Sequence, residues 1–275
     1  MIQLFDKDKI YDYCYDEIKN AYALLGVCSG ETVFLESDIA SLGIYEQHKS
    51  KTIVSDHYRA LKTLVGDDGT IVVPSFTTYL CNNKIPYNSS NSISEMGILS
   101  EYIRQLPGAV RSYHALTSYV AIGKKANKIC KDVSRLAYGP ESPMDRMINY
   151  DTRFISIGLK PFDTCSTVHQ AELVMGVPYR YIKEFEQQVV NNGRVNKEYF
   201  YMHVRYETSK IEKDKRHLFS LFEAHKPVLK CSLGRGVVYG YSMKDFYQHS
   251  IKYFRMNPYA ILANIPKNKP YAKTM

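Results

Sequence analysis

Phe154-Ile155-Ser156-Ile157-Gly158-Leu159 is a short apolar run that stops at Pro161, and Thr164-Cys165-Ser166-Thr167-Val168-His169-Gln170-Ala171-Glu172 follows it. An apolar run bounded by Gly and Pro reads as a buried strand that leads into a loop. Ser166 or Thr167 can then cap a helix, with His169 in its first turn and Glu172 one turn further along the same face. Helix starts behind strand ends are where α/β sheets present ligands, and histidine titrates near neutral pH. His169 is therefore the candidate general base. The bland alternative is a capped surface helix with an ordinary histidine.

The same alternation of helix and strand runs through the preceding residues. Ile10, Tyr13, Cys14, Ile18, Ala21, Leu24 and Leu25 recur at near-helical spacing across 6–25, closed by Gly26. Gly30 to Leu35 reads as a turn into a buried strand, and the polar loop from Glu36 to Gly43 carries capping residues. Residues 45–65 predict a helix closed by Gly66-Asp67-Asp68-Gly69, and Thr70 to Pro74 predicts a β-branched strand that delivers Ser75-Phe76-Thr77-Thr78. Strand, helix, turn and strand make a βαβ unit.

Further along, the pattern predicts a loop over 81–94, a helix over 95–106, a rigid loop from Tyr138 to Pro143 and a helix over 144–150. The stretch 179–217 is irregular, with hairpin-like strands from Arg194 to Tyr206 and a helix from Lys210 to Glu223. Val228 to Gly240 suggests paired strands around Gly234-Arg235-Gly236, and Ser242 to Phe254 a last helix. Arg111, followed by Ser112, His114 and Ser118, suits a phosphate-bearing ligand, because a guanidinium forks onto phosphate.

A chain of 275 residues that is 45% hydrophobic and 23% charged has the composition of a globular protein. It lacks an apolar run of membrane-spanning length and a signal-like start, so a cytoplasmic location is expected. Cysteines at 14, 28, 81, 130, 165 and 231 never form Cys-x-x-Cys, which argues against a zinc site and predicts reduced, buried thiols. Residues 224–275 hold nine basic residues and one acid, and so carry the whole excess of the net charge of +8. Such a part attracts phosphates, nucleic acid or anionic lipid, or simply solubilises. No aromatic and arginine module accompanies it, which argues against nucleic acid. One domain over 1–275 is expected, with 180–223 a variable substrate side and 224–275 a basic C-terminal part.

Taken in order, the motifs resemble the aminoglycoside 3-N-acetyltransferase family. They are Gly30-Glu31-Thr32, Ser37, Ser41-Leu42-Gly43, Val65-Gly66 through Gly69-Thr70, Pro74-Ser75-Phe76-Thr77 and Met96-Gly97. Pro107-Gly108-Ala109-Val110-Arg111-Ser112 with His114, Gly139 with Glu141-Ser142-Pro143, and Thr167 to Glu172 complete the set, which spans roughly 26–178. The resemblance implies a three-layer α/β/α sandwich with a central mostly parallel or mixed sheet. It also implies acetyl coenzyme A along the strand ends, no metal, and direct transfer of acetyl to an amine. His169 would then take a proton from the ammonium, with Glu172, or alternatively Glu141, orienting the ring. Thr167 or backbone N–H groups at the helix start would stabilise the oxyanion. Ser37, Ser41, Gly43, Ser75, Arg111, Ser112 and Ser118 would line the coenzyme site. Two departures stand out: the family's His-Ser-Ser falls where this chain has Leu35-Glu36-Ser37, and its His-Pro where this chain has His114-Ala115.

The positive charge of 180–217 and of the C-terminal part favours a neutral or anionic acceptor, such as an amino sugar on a nucleotide or a surface-polysaccharide precursor. The alternative is an aminoglycoside antibiotic, hence resistance, in an acidic pocket built from Asp38, Glu95, Asp163 and Glu184. A further alternative is a non-catalytic protein that binds coenzyme A or an anionic polymer, against which the presence of both His169 and Glu172 argues. A homo-oligomer is compatible with all three.

Overall fold

The apolar runs become central strands in the computed structural model, which describes residues 11–47, 49–81, 83–206 and 212–266. β1 (Thr32–Ser37) lies between β2 (Thr70–Phe76) and β5 (Arg153–Ile157), parallel to both, with Thr32 opposite Thr70 and Phe34 opposite Phe154. These strands are buried on both faces, so their apolar runs are continuous rather than alternating. Beyond them the pairing turns antiparallel. β4 (Thr117–Gly123) adds to β2 and β3 (Val110–Arg111) to β4, while β9 (Gly236–Ser242) adds to β5 and β8 (Leu229–Leu233) to β9. The result is a seven-stranded mixed sheet in the order β3-β4-β2-β1-β5-β9-β8.

Side chains of one strand alternate between faces, and that period divides the core in two. Val33 and Leu35 face a cluster with Ile18, Leu61 and Ile103, from α1 (Tyr15–Leu24), α2 (Ser50–Val65) and α3 (Ile98–Arg104). Phe34 faces the other cluster with Met147, Val168, Phe222 and Phe246. Those come from α5 (Pro143–Asn149), α7 (Thr167–Val174), α8 (Arg216–His225) and α9 (Met243–Met256), beside the short α4 (Ala126–Cys130). Helix, sheet and helix make the three expected layers.

β6 (Arg180–Asn191) and β7 (Arg194–Arg205) form a separate two-stranded hairpin. Its turn is Asn192-Gly193, both at positive φ, the chemistry of a tight hairpin turn. This corrects the expectation of strands only from Arg194. β6 exposes much of both faces, so it lacks the alternation that marks a half-buried strand. Val189 and Phe200 anchor the hairpin against Leu80, Tyr87, Ala115 and Leu116.

Some boundaries also shift. α8 begins at Arg216 rather than Lys210, and residues 207–211 lie outside the described residues. The expected start of the first helix and the end of the basic C-terminal part, 1–10 and 267–275, lie outside them as well. All six cysteines are free; Cys130 and Cys165 are buried as expected, whereas Cys14, Cys81 and Cys231 are half-buried and Cys28 is exposed, which corrects the expectation of buried thiols for these four. Among the described residues no helix is long and apolar enough to cross a membrane.

Candidate active site

The site is assembled where β1 and β5 end side by side. Gly158, at φ +68, turns the chain out of β5, and a Cβ there would sit 2.0 Å from Ser41 Oγ. Ser41 Oγ lies 2.8 Å from both Asp38 O and Gly158 O, to either of which it donates, and so ties the two strand exits together. α6 (Pro161–Thr164) follows, and then α7 with His169 in its first turn.

Ser166 does not cap α7 with its side chain, contrary to the sequence reading. It already has helical dihedrals, and its hydroxyl meets Glu36 and Thr164 O instead. The N–H groups of Val168 and His169 donate to Cys165 O and Ser166 O at 3.1 and 3.0 Å, so these two are committed and do not serve as free oxyanion donors. Thr167 is wholly buried, and among the described residues its Oγ1 has no partner.

Glu172 Oε2 lies 2.5 Å from His169 Nδ1. Its Oε1 accepts from Tyr179 O–H and from Arg180 Nε, each at 2.8 Å. Because a carboxylate only accepts, Nδ1 carries the proton and Nε2 presents the lone pair. Arg180 Nη2, at 3.3 Å from Nδ1, therefore contributes charge rather than a hydrogen bond. The Tyr138 ring stands edge-on to the imidazole with centroids 5.5 Å apart. Burial holds His169 down at about 4 against the upward pull of Glu172, and Arg180 and Lys213 add to the depression. Burial raises Glu172, but His169 and Arg180 outweigh it and hold the carboxyl at about 2. At neutral pH the site thus contains a neutral, oriented imidazole beside a permanently charged carboxylate.

Glu141 is not brought to His169, which corrects its role as the alternative partner. Its carboxylate is largely exposed and pairs with Arg146 at 2.7 Å. Tyr138, Tyr179 and Arg180 were not singled out in the sequence. Arg180 reaches back to α7 only because the chain turns at Gly176, and no local spacing announces that.

Of the residues expected at the coenzyme, Ser37 and Ser75 lie toward the carboxyl ends of β1 and β2, with Ser75 opposite Ser118 and Ser37 opposite Ile157. Arg111 donates to Ser118 Oγ, Ser89 O, Ser92 O and Ser75 O, which spends four of its five N–H groups. Ser112 Oγ accepts from Tyr119 N at 2.8 Å. Ser75, Arg111 and Ser118 thus form one clamp across β2, β3 and β4, while Ser112 separately ties the residue after β3 to β4. Ser41 is engaged as above, and Gly43 lies at φ +88 where a Cβ would fall 2.3 Å from Asp12 Oδ2. A cavity of about 580 Å³ opens beside the clamp, lined by Arg104, Arg111, Lys131, Ser89 and Ser90.

A second cavity, of about 590 Å³, adjoins α6 and is lined by Lys160, Asp163, Glu212, Lys213 and Lys215. Burial, reinforced by Lys215, Arg180 and Arg205, pushes Lys213 down to about 8. The four acids expected to form one pocket are engaged on separate elements. Asp38 accepts from Ala40 N, Glu95 from Thr78 N and Glu184 from Tyr201 O–H, while Asp163 lines the second cavity.

The model of the family described as aminoglycoside 3-N-acetyltransferase matches residues 34–255. Aminoglycoside N(3)-acetyltransferase IX of Micromonospora chalcea is 28% identical over 200 residues, which cover 64% of this chain and 68% of that protein. Two Streptomyces relatives named in the same way are spanned over 63% and 64% of their lengths. Among solved structures, the YokD protein from Bacillus subtilis superposes with a TM-score of 0.77 at 22% identity, covering 94% of this chain and 98% of its own. The structure titled AAC-IIIb binary with CoASH superposes with a TM-score of 0.74 at 18% identity, covering 92% and 99%. At these identities the structural likeness speaks for the fold, and it agrees with the α/β sandwich above.

Proposed function

Because the chain belongs to the aminoglycoside 3-N-acetyltransferase family, we propose that it transfers acetyl from acetyl coenzyme A directly to an amino group of an aminoglycoside, with His169 as general base. The observation that carries this reading is the imidazole fixed through Nδ1 by Glu172 with Nε2 left to accept a proton. The names of the relatives support an aminoglycoside acceptor better than the nucleotide-linked or polysaccharide-precursor amino sugar expected from charge. That expectation used the net charge of whole segments, whereas recognition depends on the few groups at the site.

An ammonium has no lone pair, so the base acts before or during attack. His169 Nε2 takes the proton, and Glu172 stabilises the imidazolium that forms. When bound, the coenzyme supplies the thioester carbonyl that the amine attacks. Thr167 Oγ1, buried and without a partner among the described residues, is free to donate to the oxygen on which charge develops. Amide formation releases a second proton and the departing thiolate takes one up, which leaves one proton for solvent.

The chain's residues fit an anionic coenzyme. Arg111 and Lys131 line one cavity in which Arg104 is already paired with Glu101, and cations beside hydroxyls suit phosphate. Ser37, Ser41, Gly43, Ser75, Ser112 and Ser118 lie toward the same strand ends, with Arg111 held in place by the clamp. The test is mass spectrometry after incubation with acetyl coenzyme A and either sisomicin or a nucleotide-linked amino sugar. Addition of one acetyl group to sisomicin supports the reading. Acetylation of the nucleotide-linked sugar alone overturns its acceptor.

A further inference from the structure

Two carboxylates reach the interior of this site, and they are treated differently. Glu172 is saturated by His169, Tyr179 and Arg180. Glu36, at the carboxyl end of β1 and 8% exposed, has the Ser166 hydroxyl as its hydrogen-bond partner among the described residues. Lys215 acts on Glu36 through its charge, but its Nζ is held 2.8 Å from Asp163 O. A buried carboxylate held by one hydroxyl, with no hydrogen-bonded cation, is costly unless something positive completes it.

The neighbours tie Glu36 to the chemistry. Ser166 immediately precedes α7, which bears His169. Tyr138, edge-on to His169, feels the charge of both Glu36 and Glu172 and so connects the two acids. Tyr241, wholly buried on β9, also feels Glu36, and its hydroxyl has no partner among the described residues, like that of Thr167. The surroundings are therefore polar, incompletely satisfied and adjacent to the base. Burial pushes the Glu36 carboxyl up to about 7 even against the opposing pull of Ser166 and Lys215, as for an acid awaiting a counter-charge.

We propose that Glu36 is a specificity-determining residue of the acceptor site: its carboxylate binds an ammonium group of a polyamine acceptor next to the amine presented to His169. The proposal rests on the acetyltransferase reading. It resolves a conflict in that reading, because Lys213 and Lys215 would otherwise repel a polycation. Glu172 is already engaged by His169 and Arg180, and Asp163 is exposed and solvent-screened, which leaves Glu36 as the interior acid for an incoming cation. The family resemblance does not supply this residue, since Glu36 falls within the stretch where the chain departs from the family's His-Ser-Ser.

The test uses Glu36→Gln, which keeps the shape and a hydrogen bond to Ser166, and Glu36→Asp, which keeps the charge. Sisomicin binding is measured by titration calorimetry with coenzyme A present, alongside coenzyme A binding and steady-state kinetics. Glu36→Gln is expected to weaken sisomicin binding and raise its KM by roughly thirtyfold or more. Coenzyme A affinity should stay within about twofold, since the clamp is untouched, and Glu36→Asp should retain most of the sisomicin affinity. Unchanged sisomicin affinity in an active Glu36→Gln enzyme overturns the proposal and leaves the acetyltransferase reading standing. Equal loss of coenzyme and sisomicin binding in both variants makes Glu36 structural and also overturns it. A wild-type chain that neither binds nor acetylates sisomicin removes the reading and the proposal together.

Discussion

Glu172 meets His169 Nδ1 at 2.5 Å with one oxygen and Arg180 Nε at 2.8 Å with the other. One carboxylate thus orients the imidazole and neutralises a guanidinium that is only 9% exposed. Glu172→Gln should therefore do two things. It should lower turnover by about ten- to a hundredfold, as the ring loses its orienting charge. It should also cost about 3–5 kcal/mol of stability, because Arg180 is left buried without a counter-charge. Chemical denaturation and steady-state kinetics on the same protein check both effects.

Thr167 offers a cleaner separation of chemistry from stability. Its hydroxyl is buried without a partner, so Thr167→Val removes a desolvated group that nothing in the described fold satisfies. The melting temperature should hold or rise. If the hydroxyl donates to the developing oxyanion, kcat should nonetheless fall by roughly a hundredfold. Unchanged kcat would remove Thr167 from the mechanism.

Acid should destabilise the protein through its buried histidines, at a pH where most of its carboxylates are still charged. Burial holds His57 at about 3, and His114, His169 and His203 at about 4, so all four stay neutral in the fold at pH 5. The unfolded chain protonates them near 6.5, binds more protons than the native state below that pH, and is favoured as pH falls. Each contributes up to about 1.4 kcal/mol per pH unit between 6.5 and its native value. Glu36, raised to about 7, works in the opposite direction, as the one carboxyl among the described residues set against these four histidines. Urea denaturation should give a clearly lower stability at pH 5 than at pH 7.

The central strands were legible because β1, β2 and β5 are buried on both faces and read as continuous apolar runs. His169 and Glu172 were legible because a spacing of three residues on a helix puts them on one face. What completes the pair was not: Tyr179 and Arg180 return to α7 through the turn at Gly176, a tertiary event with no sequence period. The capping role assigned to Ser166 failed for a similar reason. Glu36 lies 130 residues away in sequence yet competes for its hydroxyl. The hairpin turn at Asn192-Gly193 was missed although its dipeptide is characteristic, since the exposed β6 hides the alternation that would have framed it.

The central claim is that His169 is the base for acetyl transfer to an amine. Its most direct test is thiol release from acetyl coenzyme A in the presence of sisomicin, comparing wild type with His169→Ala. The account predicts steady release by the wild type and a loss of roughly a hundred- to ten-thousandfold in the variant, with coenzyme binding and melting behaviour retained. Wild-type turnover in a folded His169→Ala protein would contradict it.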